Sequence, residues 1–122
     1  MLRNILLVGA GSFLGGSARY ILSLLIRTAG KGFPWATFTV NILGSLLIGL
    51  LWGLTARNAN VPSWLSLFLM VGFCGGFTTF STFSKESMTL LQAGSYATFL
   101  LYAIGSVVIG LLSVWLGYLL AK

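Results

Sequence analysis

Four apolar stretches, at 5–26, 35–56, 64–91 and 96–121, each approach or exceed the roughly 20 residues that one bilayer crossing requires. Together they take up nearly all of the 122 residues. Of the chain, 57% is hydrophobic and only 7% charged, too few charges to coat a water-soluble domain of this size. The expected fold is therefore an all-α membrane protein, a single four-helix transmembrane domain spanning 1–122. Breakers separate the spans at Gly30-Lys31-Gly32-Phe33-Pro34 and Arg57-Asn58-Ala59-Asn60-Val61-Pro62, with a weaker connection at Gln92-Ala93-Gly94-Ser95. Trp35, Trp52, Trp64, Tyr96, Trp115 and Tyr118 fall near predicted span ends, where amphipathic rings meet the headgroups.

The amino-terminal stretch also has the look of a secretory signal, with Arg3 ahead of an apolar run and small residues at Gly16 and Ala18. The apolar pattern resumes straight after Arg19-Tyr20, so this segment is expected to stay as the first helix. The single Cys74 has no intrachain partner and is expected to pack as a small apolar side chain.

The net charge of +6 is spread over the span ends, which argues against a nucleic-acid partner. With four crossings, Arg3, Arg57 and Lys122 fall on one side, and Arg27, Lys31 and Lys85 on the other. A tie of this kind withholds the usual instruction for orientation, so the chain is expected to insert both ways. Oppositely oriented copies would pair as an antiparallel two-fold homodimer, the dual-topology counterpart of the inverted repeats of transporters. Small-xxx-small pairs at Gly11/Gly15, Gly49/Gly53, Gly72/Gly76, Ser106/Gly110 and Ser113/Gly117 predict close helix packing and no particular chemistry.

Polar residues inside the spans say more, because each is costly in hydrocarbon without a partner or a wet cavity. Arg19 lies within the first span, where an arginine costs about 2.5–3.5 kcal/mol on insertion scales. Two roles fit it: an anchor that caps carbonyls or snorkels, and a direct anion contact. Asn41, inside the second span, suits interhelical bonding and a pore contact equally. In the third span, Gly72-Phe73-Cys74-Gly75-Gly76-Phe77-Thr78-Thr79-Phe80-Ser81-Thr82-Phe83-Ser84 pairs glycines with threonines near mid-membrane, a poor continuous helix. A break is expected there. Its freed carbonyls, with Gly75 and Thr78 as the candidate donors, would suit a hard cation. Beyond it, Phe80 and Phe83 share a helix face, with Ser81 and Thr82 placing hydroxyls between them. On the fourth span, Tyr102, Ser106, Gly110, Ser113 and Gly117 form a small, hydroxyl-bearing stripe, equally readable as a packing seam. Hydroxyls, an amide and phenyl edges are electropositive donors that together suit an anion. The chain has no His or Asp, one Glu, and no nucleophile–base pair, so nothing supports an enzyme.

The runs Gly15-Gly16-Ser17-Ala18-Arg19-Tyr20, Thr37-Phe38-Thr39-Val40-Asn41-Ile42-Leu43-Gly44-Ser45 and the glycine–threonine–phenylalanine segment with Glu86 are similar to those of the small microbial fluoride channels of the Fluc or CrcB family. The resemblance covers the whole chain. It implies an antiparallel homodimer in the cell's inner (plasma) membrane, with two fluoride pores and one central sodium ion on third-helix carbonyls. It assigns Phe80 and Phe83 to an aromatic box, Asn41 to a pore contact, Tyr102 and Ser106 to a polar track, and Glu86, beside Ser81 and Thr82, to a vestibule. Gly110 departs from it, standing where a hydroxyl residue is expected. Two rivals fit worse. A small multidrug antiporter calls for an acidic residue in mid first span, where Arg19 stands, and a merely structural subunit leaves the costly hydroxyl run unexplained.

Overall fold

A computed structural model describes residues 1–26, 32–58 and 60–122. Arg27 and Lys31, two of the three charges on the tie's second side, lie outside the described residues, as does Ala59 of the second connection. Among the described residues the chain is all helical. Helix α1 is Leu2–Leu25 and α2 is Trp35–Arg57. The third span comprises α3 (Ser63–Ser66), a π-helical segment (Leu67–Cys74), α4 (Gly75–Phe77) and α5 (Ser81–Gln92). Helix α6, Tyr96–Ala121, completes four helical stretches long and apolar enough to cross a membrane. The α5–α6 turn is built on Gly94, whose φ of 78° is open to glycine. There the Ser95 amide donates to the Leu90 carbonyl and the Gly94 amide to that of Leu91, closing the helix end.

The distribution of apolar side chains is inverted relative to a soluble protein. The buried core is small, with Val40, Cys74, Phe77, Leu90 and Tyr102 as its main members. Large apolar residues such as Phe13, Leu101, Leu111 and Leu120 stand more than half exposed. Lipid, not water, is the solvent in which such a surface is stable.

The helices associate as two close pairs, α1 with the π-helical segment and α4, and α2 with α6. Glycines set both seams. A Cβ on Gly11 would strike the Phe68 carbonyl oxygen and come within 2.9 Å of the Gly72 Cα. In the other pair, a Cβ on Gly49 would strike the Val114 carbonyl and one on Gly117 that of Leu46. Backbones this close gain dispersion contacts that side chains would prevent, which matters in a membrane, where no hydrophobic drive between helices exists. Ser12 strengthens the first seam by donating from Oγ to the Gly72 carbonyl at 3.3 Å.

Helical geometry persists through Gly75 and Gly76 and stops at Phe77. Thr78 is extended (φ −87°, ψ 160°), and helix resumes at Ser81. The paired glycines themselves thus stay helical, because Gly76 is pressed against the Ser12 backbone, where a Cβ would come within 2.6 Å of its oxygen. The irregular residues fall just after them.

Candidate functional site

The irregular stretch is held by side chains from other helices. Asn41 of α2 donates from Nδ2 to the Thr79 carbonyl at 3.0 Å and accepts at Oδ1 from the Thr79 amide at 2.9 Å. Arg19 of α1 donates from Nε to the Gly76 carbonyl at 3.2 Å. Thr78 turns its hydroxyl back to the Cys74 carbonyl at 2.9 Å, and the Thr82 amide donates to Thr79 Oγ1 at 3.2 Å.

These bonds redirect the donors of two carbonyls. In a continuous helix the Thr79 amide would donate to Gly75 and the Thr82 amide to Thr78. Here the first goes to Asn41 and the second to the Thr79 hydroxyl. The carbonyls of Gly75 and Thr78 thereby lose their helical donors, and polar groups released in this way at membrane depth need a substitute. Both residues line a groove of about 640 Å³.

That groove lies between the two helix pairs. Asn41 and Ser45 from α2, Ser106 from α6, and Phe80 and Phe83 at the start of α5 all line it. The Ser106 hydroxyl is buried without a hydrogen-bond partner, and one N–H of the Asn41 amide is left over after its bond to Thr79. Phe80 immediately precedes α5 and is exposed; its ring centroid is 6.0 Å from that of Phe83. Phe83 in turn lies 5.0 Å from Tyr102. Among the described residues no Asp, Glu, Lys, Arg or His lines the groove, so its donors are neutral hydroxyl, amide and ring-edge groups.

A second cavity, of about 330 Å³, contains Arg19, Thr82 and Glu86, together with Thr37 and Thr79. Thr79 lines both spaces. Tyr102 lines neither; fully buried, it donates from its hydroxyl to Glu86 Oε1 at 2.9 Å and so stands between the Glu86 carboxylate and the Phe83 ring. Ser81 also lines neither space and is exposed.

The expected residues thus fall into three places. Asn41, Gly75, Thr78, Phe80, Phe83 and Ser106 meet in the groove; Arg19, Thr82 and Glu86 meet in the second cavity; Tyr102 and Ser81 stand apart from both. Thr79, Ser45 and Thr37 had no role in the sequence reading. For the last two a signal existed, since Thr37, Asn41 and Ser45 recur every four residues and so share one face of α2.

A multi-pass membrane protein with a neutral, donor-lined groove between its helices is the class this fold and site define. The chain belongs to the family described as "CrcB-like protein, Camphor Resistance (CrcB)", which matches residues 6–118. Among its relatives are proteins named fluoride-specific ion channel FluC. That of Phocaeicola vulgatus is 49% identical, covering 95% of this chain and 96% of its own. That of Chlorobium luteolum is 49% identical over 98% and 92%, and that of Chlorobaculum tepidum 46% identical over 100% and 97%.

Proposed function

We propose that the protein is a passive, fluoride-selective channel that exports cytoplasmic fluoride across the plasma membrane and so relieves its toxicity. The observation that carries this reading is the groove, where Ser106 with its unpartnered hydroxyl, Asn41 with a spare N–H, and Phe80 and Phe83 line one space without a fixed charge. Fluoride is compact and strongly hydrated, so a path for it must replace water with several short hydrogen bonds. Neutral donors can do this without holding the ion too tightly to leave. An inside-negative potential contributes about 2.3 kcal/mol per charge per 100 mV to its exit, so no energy coupling is needed.

In this reading the third span acts as a broken helix and the channel is an antiparallel homodimer, the second copy closing the open side of the groove. Two-fold symmetry then gives two equivalent pores. The Gly75 and Thr78 carbonyls, deprived of helical donors, suit a hard monovalent cation on the dimer axis, and a sodium ion is the occupant proposed. Bound there, it would supply positive charge that holds the two copies together. Arg19 and Glu86 belong to the vestibule on this reading, with Thr82 beside them and Ser81 near the mouth. Tyr102 supports the track by orienting Glu86 and backing Phe83.

The test is efflux from proteoliposomes loaded with fluoride or chloride, without a proton gradient. Fluoride release with chloride retained supports the channel. Retention of both ions, or release that requires a proton gradient, overturns it.

A further inference from the structure

The hydroxyl stripe of α6 has a gap. Ser106 lines the groove and its buried Oγ has no partner, but one turn further on Gly110 has no side chain, and the next hydroxyl, Ser113, donates to the Ile109 carbonyl of its own helix at 2.7 Å. An ion handed along α6 alone would meet no donor between them. Across from the gap, α2 places Ser45 one turn beyond Asn41, and Ser45 lines the same groove. A Cβ built on Gly110 would have a single neighbour within 4 Å, Ser45 Oγ at 3.7 Å. The α2 hydroxyl therefore borders the space into which a residue-110 side chain would project.

We infer that Ser45 supplies, from α2, the hydroxyl that carries the ion past Gly110. This rests on the pore reading above and adds to it that the donor row changes helix, running from Ser106 on α6 to Ser45 on α2. The glycine matters as much as the serine. Gly117 of α6 is held in backbone contact with Leu46, whereas a Cβ on Gly110 would meet no backbone of another element, only the Ser45 hydroxyl. A serine at 110 would fit, since 3.7 Å is ordinary contact, and would return the donor to α6.

Fluoride efflux from proteoliposomes is measured for the full-length wild-type chain, Ser45→Ala, Ser45→Cys and the double variant Ser45→Ala/Gly110→Ser, each checked for normal elution from a sizing column. Losing one hydrogen bond to an anion should slow Ser45→Ala by about 10-fold or more. Ser45→Cys, similar in size but a weaker donor, should also be slow. The double variant should recover to within about threefold of wild type, because its donor stands in the same gap. Wild-type flux in Ser45→Ala or Ser45→Cys, or a double variant no faster than Ser45→Ala, overturns the role of Ser45 and leaves the pore itself standing. Absence of fluoride flux in the wild-type chain overturns both.

Discussion

Asn41 and Thr79, 38 residues apart, exchange two hydrogen bonds, the asparagine amide pairing with one residue's backbone as a neighbouring strand would. This pairing takes the Thr79 amide away from Gly75 and fixes the irregular backbone against α2. Replacing Asn41 with alanine should leave the Thr79 amide and carbonyl unsatisfied. The expected cost is about 1–3 kcal/mol in thermal stability, with loss of most fluoride flux. Asn41→Asp keeps the acceptor for the Thr79 amide but loses the donor and adds negative charge, so it should preserve more stability than alanine while transporting no better. An Asn41→Ala protein with wild-type stability and flux would show that the pairing does nothing.

Phe80 and Phe83 separate packing from conduction. Phe80 is exposed in the single chain, so it contributes little to that chain's core. Phe80→Ile and Phe83→Ile keep bulk but lose the electropositive ring edge. Both should elute as the wild-type protein does and lose most flux, whereas Phe68→Ile and Phe99→Ile, outside the segment, should conduct. Wild-type flux in both Phe80→Ile and Phe83→Ile would remove the rings from the pathway and leave the hydroxyls as its lining.

The carbonyl cage is testable by the sites where bulk is tolerated. A Cβ on Gly75 meets nothing within 4 Å inside the chain, so a valine there is expected to spare the monomer's own packing. If Gly75 faces a second copy across a shared cation, Gly75→Val should abolish dimer elution and ion occupancy. Thr78→Ser, which retains both the carbonyl and the hydroxyl bond to Cys74, should keep them. Ion-replacement density that shows only water beside these carbonyls, or a fully dimeric Gly75→Val, would sink the cage.

Topology has its own test. A cysteine added at the carboxy terminus should be labelled from both sides of the membrane, because Lys and Arg are balanced across the spans. Adding lysines to one end should lock a single orientation and abolish transport when that variant is expressed alone. Labelling from one side only in intact cells would reject dual insertion.

Four helices were legible because hydrocarbon imposes one requirement, a run of apolar residues of spanning length, and the sequence states it openly. The third span is a mixed case: glycines beside threonines conflict with a continuous helix, yet Gly75 and Gly76 stay helical and the irregular residues follow Phe77. What could not be read was partnership. Arg19 has two plausible roles until the Gly76 carbonyl is found 3.2 Å from its Nε, 57 residues away. The small-xxx-small pairs announced close packing, but not that Gly11 meets Gly72 while Gly49 and Gly117 join α2 to α6. The π-helical turns at Leu67–Cys74 left no sequence mark, because they answer to how α1 packs against them more than to their own propensity. Ser45 shares an α2 face with Thr37 and Asn41, a spacing the sequence shows, but its place opposite Gly110 is visible only in the fold.

The glycine seams have a mechanical consequence for the groove. Each helix pair meets at backbone contact, so side chains that join α2 and α6 to the third span help to set the gap between them. Among these links are Asn41 to Thr79, Tyr102 to Glu86, and the Phe83 ring against Tyr102, beside the direct packing of α2 on the π-helical segment and α4. Three of these five residues, Asn41, Thr79 and Phe83, also line the groove. The calibre of the opening and its chemistry are therefore written in the same side chains, and a substitution that changes one resets the other.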